Sequence, residues 1–382
     1  MIFLSFAAEF SFKRALKHLF AVGTQKHSDA LKLTLQSRYH GSSSYLYGNG
    51  RTALSEALRH LVPANSSVII NGLTCHAVPQ AVKSANCTPI YVDINDQDFN
   101  FDIQKLTQVL DNNKTISAII IQNHLGLATD IVAIEKLAKK HNLVIIEDLA
   151  HSAGSHYTDG REMGTIGSAT ALSFGKGKSI DTTEGGALVL RDEPSSSFLQ
   201  SAPPLSNRLR NRFYPILGWT IRKTYSIGLG KLIATTAFRL RFITRSAEGK
   251  IQPHIRPAHW QSNLALQQIK QLNHTAQKRL KYTSYYKSAP SSSSILRIPL
   301  LVNHRDQLLG QLRSQRVYID DPWYDVPVSP RRYYHRANYP ENDCPTAVRV
   351  AQQMLNLPLL PKTQLDPIIK IINSEAPNPN EY

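Results

Sequence analysis

The stretch that decides the fold and the function runs from residue 172 to residue 190 and reads "LSFGKGKSIDTTEGGALVL". It places Lys176 and Lys178 between a predicted strand and the glycine pair at positions 185 and 186, inside a segment that is otherwise typical of a protein interior. A single lysine in such a loop is usually solvated. Because charged amines are costly to bury, two of them here indicate a chemical use for at least one.

The composition is typical of a soluble globular protein, since 42% of the 382 residues are hydrophobic and 19% are charged. This length allows one large α/β domain and a smaller one. The three cysteines are odd in number and widely spaced, which favours a reducing, cytoplasmic compartment over a zinc site or a disulfide framework. We therefore predict no bound metal.

Glu9 interrupts the apolar N-terminal run, which we interpret as an arm or amphipathic helix and not as a signal peptide.

Short β-branched runs alternate with helical patterns along the first half of the chain. The predicted strands are 66–70, 88–94, 116–122, 142–148 and 169–174, and the helices between them include 76–85, 102–112 and 130–141. Strands that are apolar on both faces and separated by helices indicate an α/β fold with a mainly parallel sheet. Ligands of such sheets bind at the carboxyl ends of the strands.

Two of these strands end in residues that can carry chemistry. The strand at 142–148 ends in Glu147 and Asp148, and alternation sends only one of the two carboxylates toward a given face. The strand at 169–174 leads through Ser173 into the two lysines. Either the carboxylates only cap their strand, or the two strand ends deliver a carboxylate and an amine to one crevice.

Pyridoxal 5'-phosphate uses such a pairing. The cofactor needs a lysine to hold its aldehyde as a Schiff base and a carboxylate to keep its pyridine nitrogen protonated. It also needs a phosphate site, which glycines and small hydroxyl residues provide at a helix N-terminus. The stretch "YGNGRTALSEALRHL" at 47–61 has this composition. The three stretches together, in this order, predict the cofactor far more strongly than any one of them.

The same stretches resemble those of the DegT/DnrJ/EryC1/StrS family of pyridoxal-phosphate aminotransferases, often called sugar aminotransferases. "GNGRTAL" is similar to the family's phosphate segment, "IIEDLAHSAGS" to its Glu-Asp-Ala-Ala element, and "SFGKGKSIDTTEGG" to its Ser-Phe-x-x-x-Lys and Glu-Gly-Gly segment. The resemblance extends over almost the whole chain. It implies the three-layer type I fold of aspartate aminotransferase, with a mainly parallel central sheet and a smaller C-terminal α+β domain.

The resemblance implies catalytic roles for individual residues. Lys178 is the expected Schiff-base lysine, Asp148 the partner of the pyridinium nitrogen, and His151 a neighbour of the ring hydroxyl. His124 matches a family histidine at the substrate end of the pocket, although a hydrogen-bonded strand-end histidine is an equally good interpretation. Glu184 is expected to orient the loop after Lys178.

The resemblance also implies a set of residues that hold the cofactor. Gly50, Arg51 and Thr52, largely through backbone N–H groups, are expected to bind the phosphate. Ser173 would add its hydroxyl to the same phosphate. His76 stands near the position at which the family places an aromatic residue over the pyridine ring, so it is the candidate for that stacking role.

The family's chemistry implies a homodimer that takes an amino group from glutamate and gives it to a nucleotide-linked keto-sugar, in the biosynthesis of cell-surface polysaccharide. Two alternatives stay open. Relatives that act as sugar dehydratases have a histidine in place of the lysine, so Lys178 favours transamination. A catalytically silent regulatory or scaffold homologue is the other alternative, because Arg51 and Cys75 depart from the family pattern.

We predict three parts in the chain: an N-terminal arm or helix at 1–45, a large cofactor-binding domain at 46–250, and a small domain at 251–382. The large domain ends in a divergent segment, 205–250, with nine basic residues and no acidic residue from Arg208 to Arg245. These nine charges are over half of the net charge of +16.

Three interpretations of residues 208–245 compete. The first is a peripheral contact with the cytoplasmic face of an anionic membrane. The second is a dimer or active-site flap that clamps a nucleotide diphosphate, and the third is nucleic-acid binding. No recognition motif for nucleic acid accompanies the charge, so we expect no nucleic-acid partner.

Overall fold

The computed structural model describes residues 2–4, 10–191, 200–243, 249–283, 294–319, 323–359 and 362–375. Helices α1 to α14 are Phe12–Leu19, Gln25–Arg38, Gly50–Leu61, Ala77–Ser84, Ile103–Asn112, Ile131–His141, Leu205–Thr224, Leu229–Arg239, His259–Lys270, Leu272–Thr283, Arg305–Ser314, Arg331–Tyr334, Pro345–Gln353 and Lys362–Glu375. Strands β1 to β13 are Ile2–Leu4, Ser43–Tyr47, Ser67–Asn71, Thr74–Cys75, Thr88–Val92, Ile116–Ile121, Val144–Asp148, Ala169–Ser173, Gly186–Leu190, Arg297–Leu301, Val317–Ile319, Val328–Ser329 and Met354–Pro358.

The centre of the fold is a seven-stranded sheet in the order β2-β9-β8-β7-β6-β3-β5. Strands β3, β5, β6, β7 and β8 are parallel to one another, and β9 runs antiparallel to both of its neighbours. The five predicted strands are these five parallel strands, so the α/β prediction with a mainly parallel sheet is confirmed. The antiparallel pair β2 and β9 was not predicted.

Helices cover both faces of the sheet, which gives three layers. Alternation along β3 shows the division, because Val68 and Ile70 pack with α3 and α4 whereas Ile69 packs with α2, α5, α6 and α9. Residues of β3 are buried at every position, as expected for a strand between two helical layers.

A smaller α+β unit follows in the last third of the chain. Its antiparallel pair β10 and β13 packs with α11, α13 and α14 onto the face of the sheet that carries α3. Asp93, just after β5, anchors this unit, since its carboxylate accepts the N–H groups of Thr346 and Ala347 in the first turn of α13, at 3.0 and 2.8 Å. Negative charge at a helix N-terminus is favourable there.

The divergent segment forms a helical hairpin. Helices α7 and α8 are joined by a short 3₁₀ turn at Tyr225–Ile227 and enclose a small core that includes Tyr214, Ile221 and Ala237. We call residues 205–243 the basic hairpin; Arg245 lies outside the described residues. In the part of the chain that the structure describes, no helix has the length and apolar character needed to cross a bilayer.

The basic hairpin packs on the N-terminal helix α1. The rings of Phe12 and Trp219 lie 4.7 Å apart between centroids, and the guanidinium of Arg222 donates to the carbonyl of Phe10 at 2.6 Å. The predicted N-terminal arm or helix is therefore helical over Phe12–Leu19 and Gln25–Arg38, while Ile2–Leu4 pairs in parallel with Val317–Ile319. Residues 5–9, including Glu9, lie outside the described residues.

Candidate active site

A cavity of about 700 Å³ lies at the carboxyl ends of β7 and β8, beside the N-terminus of α3. It is the position that the general rule for ligands of parallel sheets predicts. Most of the predicted site residues line it together: Gly50, Arg51, Asp148, His151, Ser173, Lys178 and Glu184. The other three, Thr52, His76 and His124, lie outside this lining.

Lys178 lies in the loop that connects β8 to β9. Gly177 has a positive φ of 73°, a conformation that favours glycine, and its N–H donates to the carboxylate of Asp181 at 2.8 Å. The other oxygen of Asp181 accepts the N–H of Thr183 at 2.7 Å, which fixes the turn. The half-buried Lys178 points its Nζ at the Trp323 ring, 4.7 Å from the centroid. Burial lowers the pKa of this amine below its ordinary value.

The two lysines of this loop contact different elements. The Nζ of Lys176 lies 4.1 Å from the ring centroid of Tyr214, in α7 of the basic hairpin. Lys178, two residues later, faces Trp323 instead. Both lysines line the cavity, but they approach different parts of it. The charge of Lys178 acts on Asp148, whereas Lys176 lies against the basic hairpin.

The consecutive carboxylates at the end of β7 also separate. Glu147 is fully buried and accepts four hydrogen bonds, from the hydroxyl of Tyr157 and from the N–H groups of Gly164, Ile166 and Gly167, at 2.7–2.8 Å. Asp148 lines the cavity and accepts the N–H of Ala150 at 3.0 Å. Burial raises the pKa of Asp148 to about 6, although the Lys178 amine opposes the shift.

Two buried histidines, His124 and His151, lie near each other at the site. The Nδ1 atom of His151 accepts the N–H of Leu125 at 3.2 Å, so the proton of the neutral ring is on Nε2. Burial, with the nearby charge of Lys178, holds the pKa of His151 well below its ordinary value. His124 is also buried, with its ring centroid 6.4 Å from that of His151, and burial lowers its pKa to about 4. Both rings are therefore neutral at pH 7.

The N-terminus of α3 and the end of β8 approach each other closely at Gly50. A Cβ atom at Gly50 would lie 2.7 Å from the Cβ of Ser173, and one at Gly186 would lie 2.6 Å from the Gly50 nitrogen. Only glycine allows this contact, which leaves the first turn of α3 and the Ser173 hydroxyl facing the same cavity. Such a helix N-terminus is a site for an anion such as phosphate.

Thr52 is committed to the cap of α3. Its N–H and its hydroxyl both donate to the side-chain oxygen of Asn49, at 3.0 and 2.9 Å, and its hydroxyl accepts the N–H of Gln252 at 3.1 Å. The Asn49 amide in turn donates to the carbonyl of Lys250 at 2.9 Å. The chain that follows the basic hairpin is thus attached to the N-terminal end of α3.

Arg51 makes a second attachment of the same kind. Its guanidinium donates to the side chain of Gln80 at 2.7 Å and to the carbonyl of Gly249 at 2.6 Å. Burial lowers its pKa below the ordinary value. These contacts direct the side chain toward α4 and the segment after the hairpin, although the residue still contributes to the cavity lining.

Glu184 joins the loop after Lys178 to the basic hairpin. Its carboxylate accepts the amide N–H of Asn211 at 2.5 Å, and the hydroxyl of Thr183 donates to the Asn211 carbonyl at 3.3 Å. Gln261 donates to the carbonyl of Glu184 at 3.0 Å. Glu184 therefore holds a wall of the cavity in position.

The aromatic residues at the site come from a part of the chain that the sequence reasoning missed. Trp323 and Tyr324 lie opposite the strand ends, with the Trp323 ring 5.0 Å from that of His151, and Tyr324 lines the cavity. Arg297 contacts the same Trp323 ring at 4.4 Å. The predicted stacking residue, His76, instead stacks on Tyr333 with 4.7 Å between ring centroids. In the sequence, the adjacent Trp-Tyr pair in "DPWYD" was the one feature that could have indicated aromatic residues at the site.

A comparison with protein families establishes the class of the protein. The family model described as the DegT/DnrJ/EryC1/StrS aminotransferase family matches residues 7–199 and 255–374. The chain belongs to this family. The family resemblance that its sequence motifs indicated is therefore confirmed. Residues 200–254, which contain the basic hairpin, fall between the two matched stretches.

Particular relatives make the comparison more specific. A GDP-perosamine synthase of Caulobacter vibrioides is 31% identical over 189 residues, which are 48% of this chain and 50% of that protein. The GDP-perosamine synthase of Escherichia coli O157:H7 is 37% identical over 146 residues, 38% of this chain and 39% of that protein. The matches thus span half or less of these curated relatives.

The solved structures support the fold. A putative sugar aminotransferase, Spr1654 from Streptococcus pneumoniae, in its PMP form, superposes with a TM-score of 0.69 at 19% identity, over 96% of this chain and 95% of that one. The same protein has been solved in a PLP form. The three-layer fold predicted for this chain is that of these aminotransferases.

Proposed function

We propose that the protein is a pyridoxal-phosphate-dependent aminotransferase that transfers an amino group to a keto-sugar. The observation that carries the proposal is the single cavity in which an amine, a carboxylate and an open helix N-terminus meet, at Lys178, Asp148 and Gly50. These groups fit pyridoxal 5'-phosphate, because the close contact of Gly50 with Ser173 shapes an anion cradle within the same cavity as the carboxylate. Family membership supports the same chemistry.

Bound at this site, pyridoxal 5'-phosphate would supply an aldehyde that carries the amino group and a ring that accepts carbanion charge. Lys178 would hold the aldehyde carbon through Nζ, and Asp148 would face the ring nitrogen. The first turn of α3, with Gly50 and Arg51, and the Ser173 hydroxyl would hold the phosphate. His151, as a neutral Nε2–H donor, would lie near the ring hydroxyl.

Lys178 and Asp148 would handle the charges of the reaction. Because burial lowers the pKa of the Lys178 amine, a larger fraction of it is unprotonated at neutral pH, as required of the group that removes and returns a proton. Asp148 has a pKa of about 6 and is mostly ionised at pH 7. A cationic ring nitrogen beside it would favour its charged form further.

The substrates belong to the same proposal. We take glutamate as the amino donor and a nucleotide-linked keto-sugar as the acceptor, with a role in cell-surface polysaccharide biosynthesis. The likeness to two GDP-perosamine synthases supports a nucleotide-linked sugar. Arg210, Arg241 and Lys250 add positive charge to the cavity lining, which suits the diphosphate of such a substrate.

Two other functions compete with transamination. A sugar dehydratase of this fold would have a histidine at the position of Lys178, so the amine there favours transamination. A catalytically silent homologue is the second candidate, and its support is specific: Cys75 lines the cavity where an aromatic residue is usual, and the Arg51 guanidinium is engaged by Gln80 and Gly249.

The proposal includes the organisation of the molecule. We propose a cytoplasmic homodimer whose chains divide at 1–45, 46–250 and 251–382. Helix α9, at His259–Lys270, packs with α2 on the large sheet and would link the small domain to the large one. A peripheral contact with the cytoplasmic face of an anionic membrane, through residues 208–245, completes the proposal.

The test of transamination is a half-reaction followed by visible absorbance. The holoprotein is mixed with glutamate, glutamine or alanine, and we expect glutamate to remove the visible band of the bound cofactor. Lys178→Ala should show no such conversion, whereas Lys176→Ala, the matched change two residues away, should retain it. A cofactor-loaded protein that responds to no amino donor supports the silent homologue instead.

A further inference from the structure

The basic hairpin presents apolar side chains to the outside of the molecule. Of the fourteen large apolar side chains that are exposed among the described residues, nine lie between Leu205 and Phe242. On α7 they are Leu205, Leu209 and Phe213, spaced four residues apart and therefore on one stripe. The buried residues of this helix include Tyr214, Gly218 and Ile221, so the apolar stripe faces away from the core.

Helix α8 has the same character. Leu229 and Leu232 are 46% and 64% exposed, and Leu240, just after the helix, is 73% exposed. The buried residues of α8 are Gly230, Ala234 and Ala237. Ile227, in the turn between the helices, is 75% exposed. Exposed apolar residues in such density normally mark a surface that another surface covers.

Positive charge accompanies this apolar face. Arg208, Lys223, Lys231, Arg239 and Arg241 are exposed, and the sequence has no acidic residue from position 194 to position 247. Two other basic residues of the hairpin stabilise the fold, since Arg212 donates to the carbonyl of Leu19 at 2.8 Å and Arg222 to that of Phe10 at 2.6 Å. Arg210 lines the cavity. The exposed cations are therefore available to an outside partner.

Two partners could cover the apolar face of the hairpin, a second copy of this chain or a lipid surface. The positive charge of the face favours the lipid surface. In a twofold contact between two copies of this chain through this face, cations of one copy would meet cations of the other. An anionic lipid surface offers opposite charge to the arginines and lysines and apolar depth to the leucines. Amphipathic helices with apolar and cationic side chains on one face lie in the plane of the membrane interface.

The hairpin also borders the active-site cavity. Asn207 and Arg210 of α7 line the cavity, as do Phe238 of α8 and Arg241 just after it. Phe238 is 37% exposed and Arg241 is exposed, so both belong at once to the outer face and to the cavity lining. The cavity wall is therefore continuous with the apolar, cationic face.

We propose that the basic hairpin docks the protein on an anionic membrane with α7 and α8 in the lipid interface, and that this places the mouth of the active-site cavity at the lipid surface. The inference deepens the peripheral contact included in the proposed function. It does not depend on transamination, because its test is read without substrate.

The experiment is flotation of the holoprotein with vesicles of equal parts phosphatidylglycerol and phosphatidylcholine, and with phosphatidylcholine alone. We expect flotation only with the anionic vesicles. Leu209→Glu and Leu232→Glu should each lower the partition coefficient about tenfold or more, through lost apolar burial and added repulsion. Arg208→Gln or Lys231→Gln should lower it roughly fivefold each, as expected for one charge near the surface.

Matched controls lie elsewhere on the surface. Val132→Glu, at a 59% exposed position of α6, and Lys139→Gln, in the last turn of that helix, should leave flotation unchanged. Equal flotation of the parent and of the double variant Leu209→Glu, Leu232→Glu overturns docking. A change from dimer to monomer in that double variant, measured by light scattering, overturns it as well, because the face would then be a subunit interface.

The position of the cavity mouth is tested with an environment-sensitive fluorophore. In a Cys75→Ser background, the probe is attached to Ile227→Cys, Phe238→Cys or, as a control, Val132→Cys. Anionic vesicles should shift the emission to shorter wavelength at positions 227 and 238 and leave it unchanged at 132. A shift at 227 alone contradicts the placement of the cavity mouth at the lipid surface. Flotation and emission are both measured without substrate, so these outcomes are independent of the proposed catalysis.

Discussion

Glu147 and Asp148 are consecutive residues of one strand, and the structure gives their carboxylates opposite surroundings. Glu147 accepts four hydrogen bonds in the interior and has no part in the cavity lining, whereas Asp148 lines the cavity with one backbone N–H on its carboxylate. Alternation along the strand produces this division. The first carboxylate holds the loop at 164–167, and the second is free for a ligand.

Glu147→Gln should destabilise the protein without altering the cofactor site. The neutral amide accepts fewer and weaker hydrogen bonds, so buried N–H groups of Gly164, Ile166 or Gly167 lose a charged acceptor. We expect the free energy of unfolding to fall by about 2–4 kcal/mol. Urea unfolding monitored by circular dichroism measures this loss; an unchanged midpoint contradicts the structural role.

Asp148→Asn should stabilise the cofactor-free protein, whereas Glu147→Gln should destabilise it. The pKa of Asp148 in the folded protein, about 6, lies above the unfolded value, so its contribution to stability is present at low pH and is lost as the pH rises through about 6. Removing the charge should therefore raise the free energy of unfolding of the cofactor-free protein at pH 7, by up to about 3 kcal/mol.

The same Asp148→Asn variant should lose activity. Without the carboxylate at the ring nitrogen, the half-reaction with glutamate should slow by about 10²-fold or more. Stopped-flow absorbance of the cofactor-loaded variant measures the rate, with Glu147→Gln as the control one residue away. Comparable rates in the two variants argue against the role assigned to Asp148.

Gly50→Ala should weaken cofactor binding, because the new methyl group meets the Cβ of Ser173 at 2.7 Å. Relief of such a contact costs about 1–3 kcal/mol, so the dissociation constant should rise about tenfold. Gly310→Ala is the matched change in another helix, where no atom lies within 4 Å. It should instead stabilise the protein by about 0.5–1 kcal/mol with cofactor affinity unchanged. Fluorescence titration and thermal unfolding distinguish the two.

His124→Gln should reduce the acid sensitivity of folding. Burial lowers the pKa of His124 to about 4, so the unfolded chain binds a proton between pH 6.5 and 4 that the folded protein does not. Stability therefore falls as the pH falls through this range, by about 3 kcal/mol for one such group. The variant should show a shallower loss in urea unfolding at pH 7, 6, 5 and 4. A slope equal to that of the parent contradicts a neutral, buried His124.

The sequence predicted the parts of the site that lie close together along the chain. Asp148 and Ser173 are the last residues of strands whose apolar pattern was evident, and Lys178 follows the second of these strands. The carboxyl ends of parallel strands must meet at one edge of the sheet. Gly50 was recognisable because a glycine turn before a helix has a clear local signature. The strand Gly186–Leu190 and its partner Ser43–Tyr47 escaped prediction, since antiparallel pairing depends on distant hydrogen bonds.

The residues that escaped prediction are brought to the site by tertiary packing. Trp323 and Tyr324 occur in an irregular segment with no periodic pattern, about 150 residues after the lysine that they approach. The side-chain partners of Arg51 were also not predicted, because its guanidinium donates to Gln80 and to the carbonyl of Gly249, which only the folded chain brings near. Composition revealed the positive charge of the basic hairpin and not its helical form.

The central claim is that the amine of Lys178 holds the cofactor beside Asp148. Its most direct test is borohydride reduction of the protein loaded with pyridoxal 5'-phosphate, followed by proteolysis and peptide mass spectrometry. We expect one pyridoxyl adduct, on Lys178, in the parent and in Lys176→Ala. An adduct on Lys176 or on any other lysine, or a loaded protein with no adduct at all, contradicts the assignment.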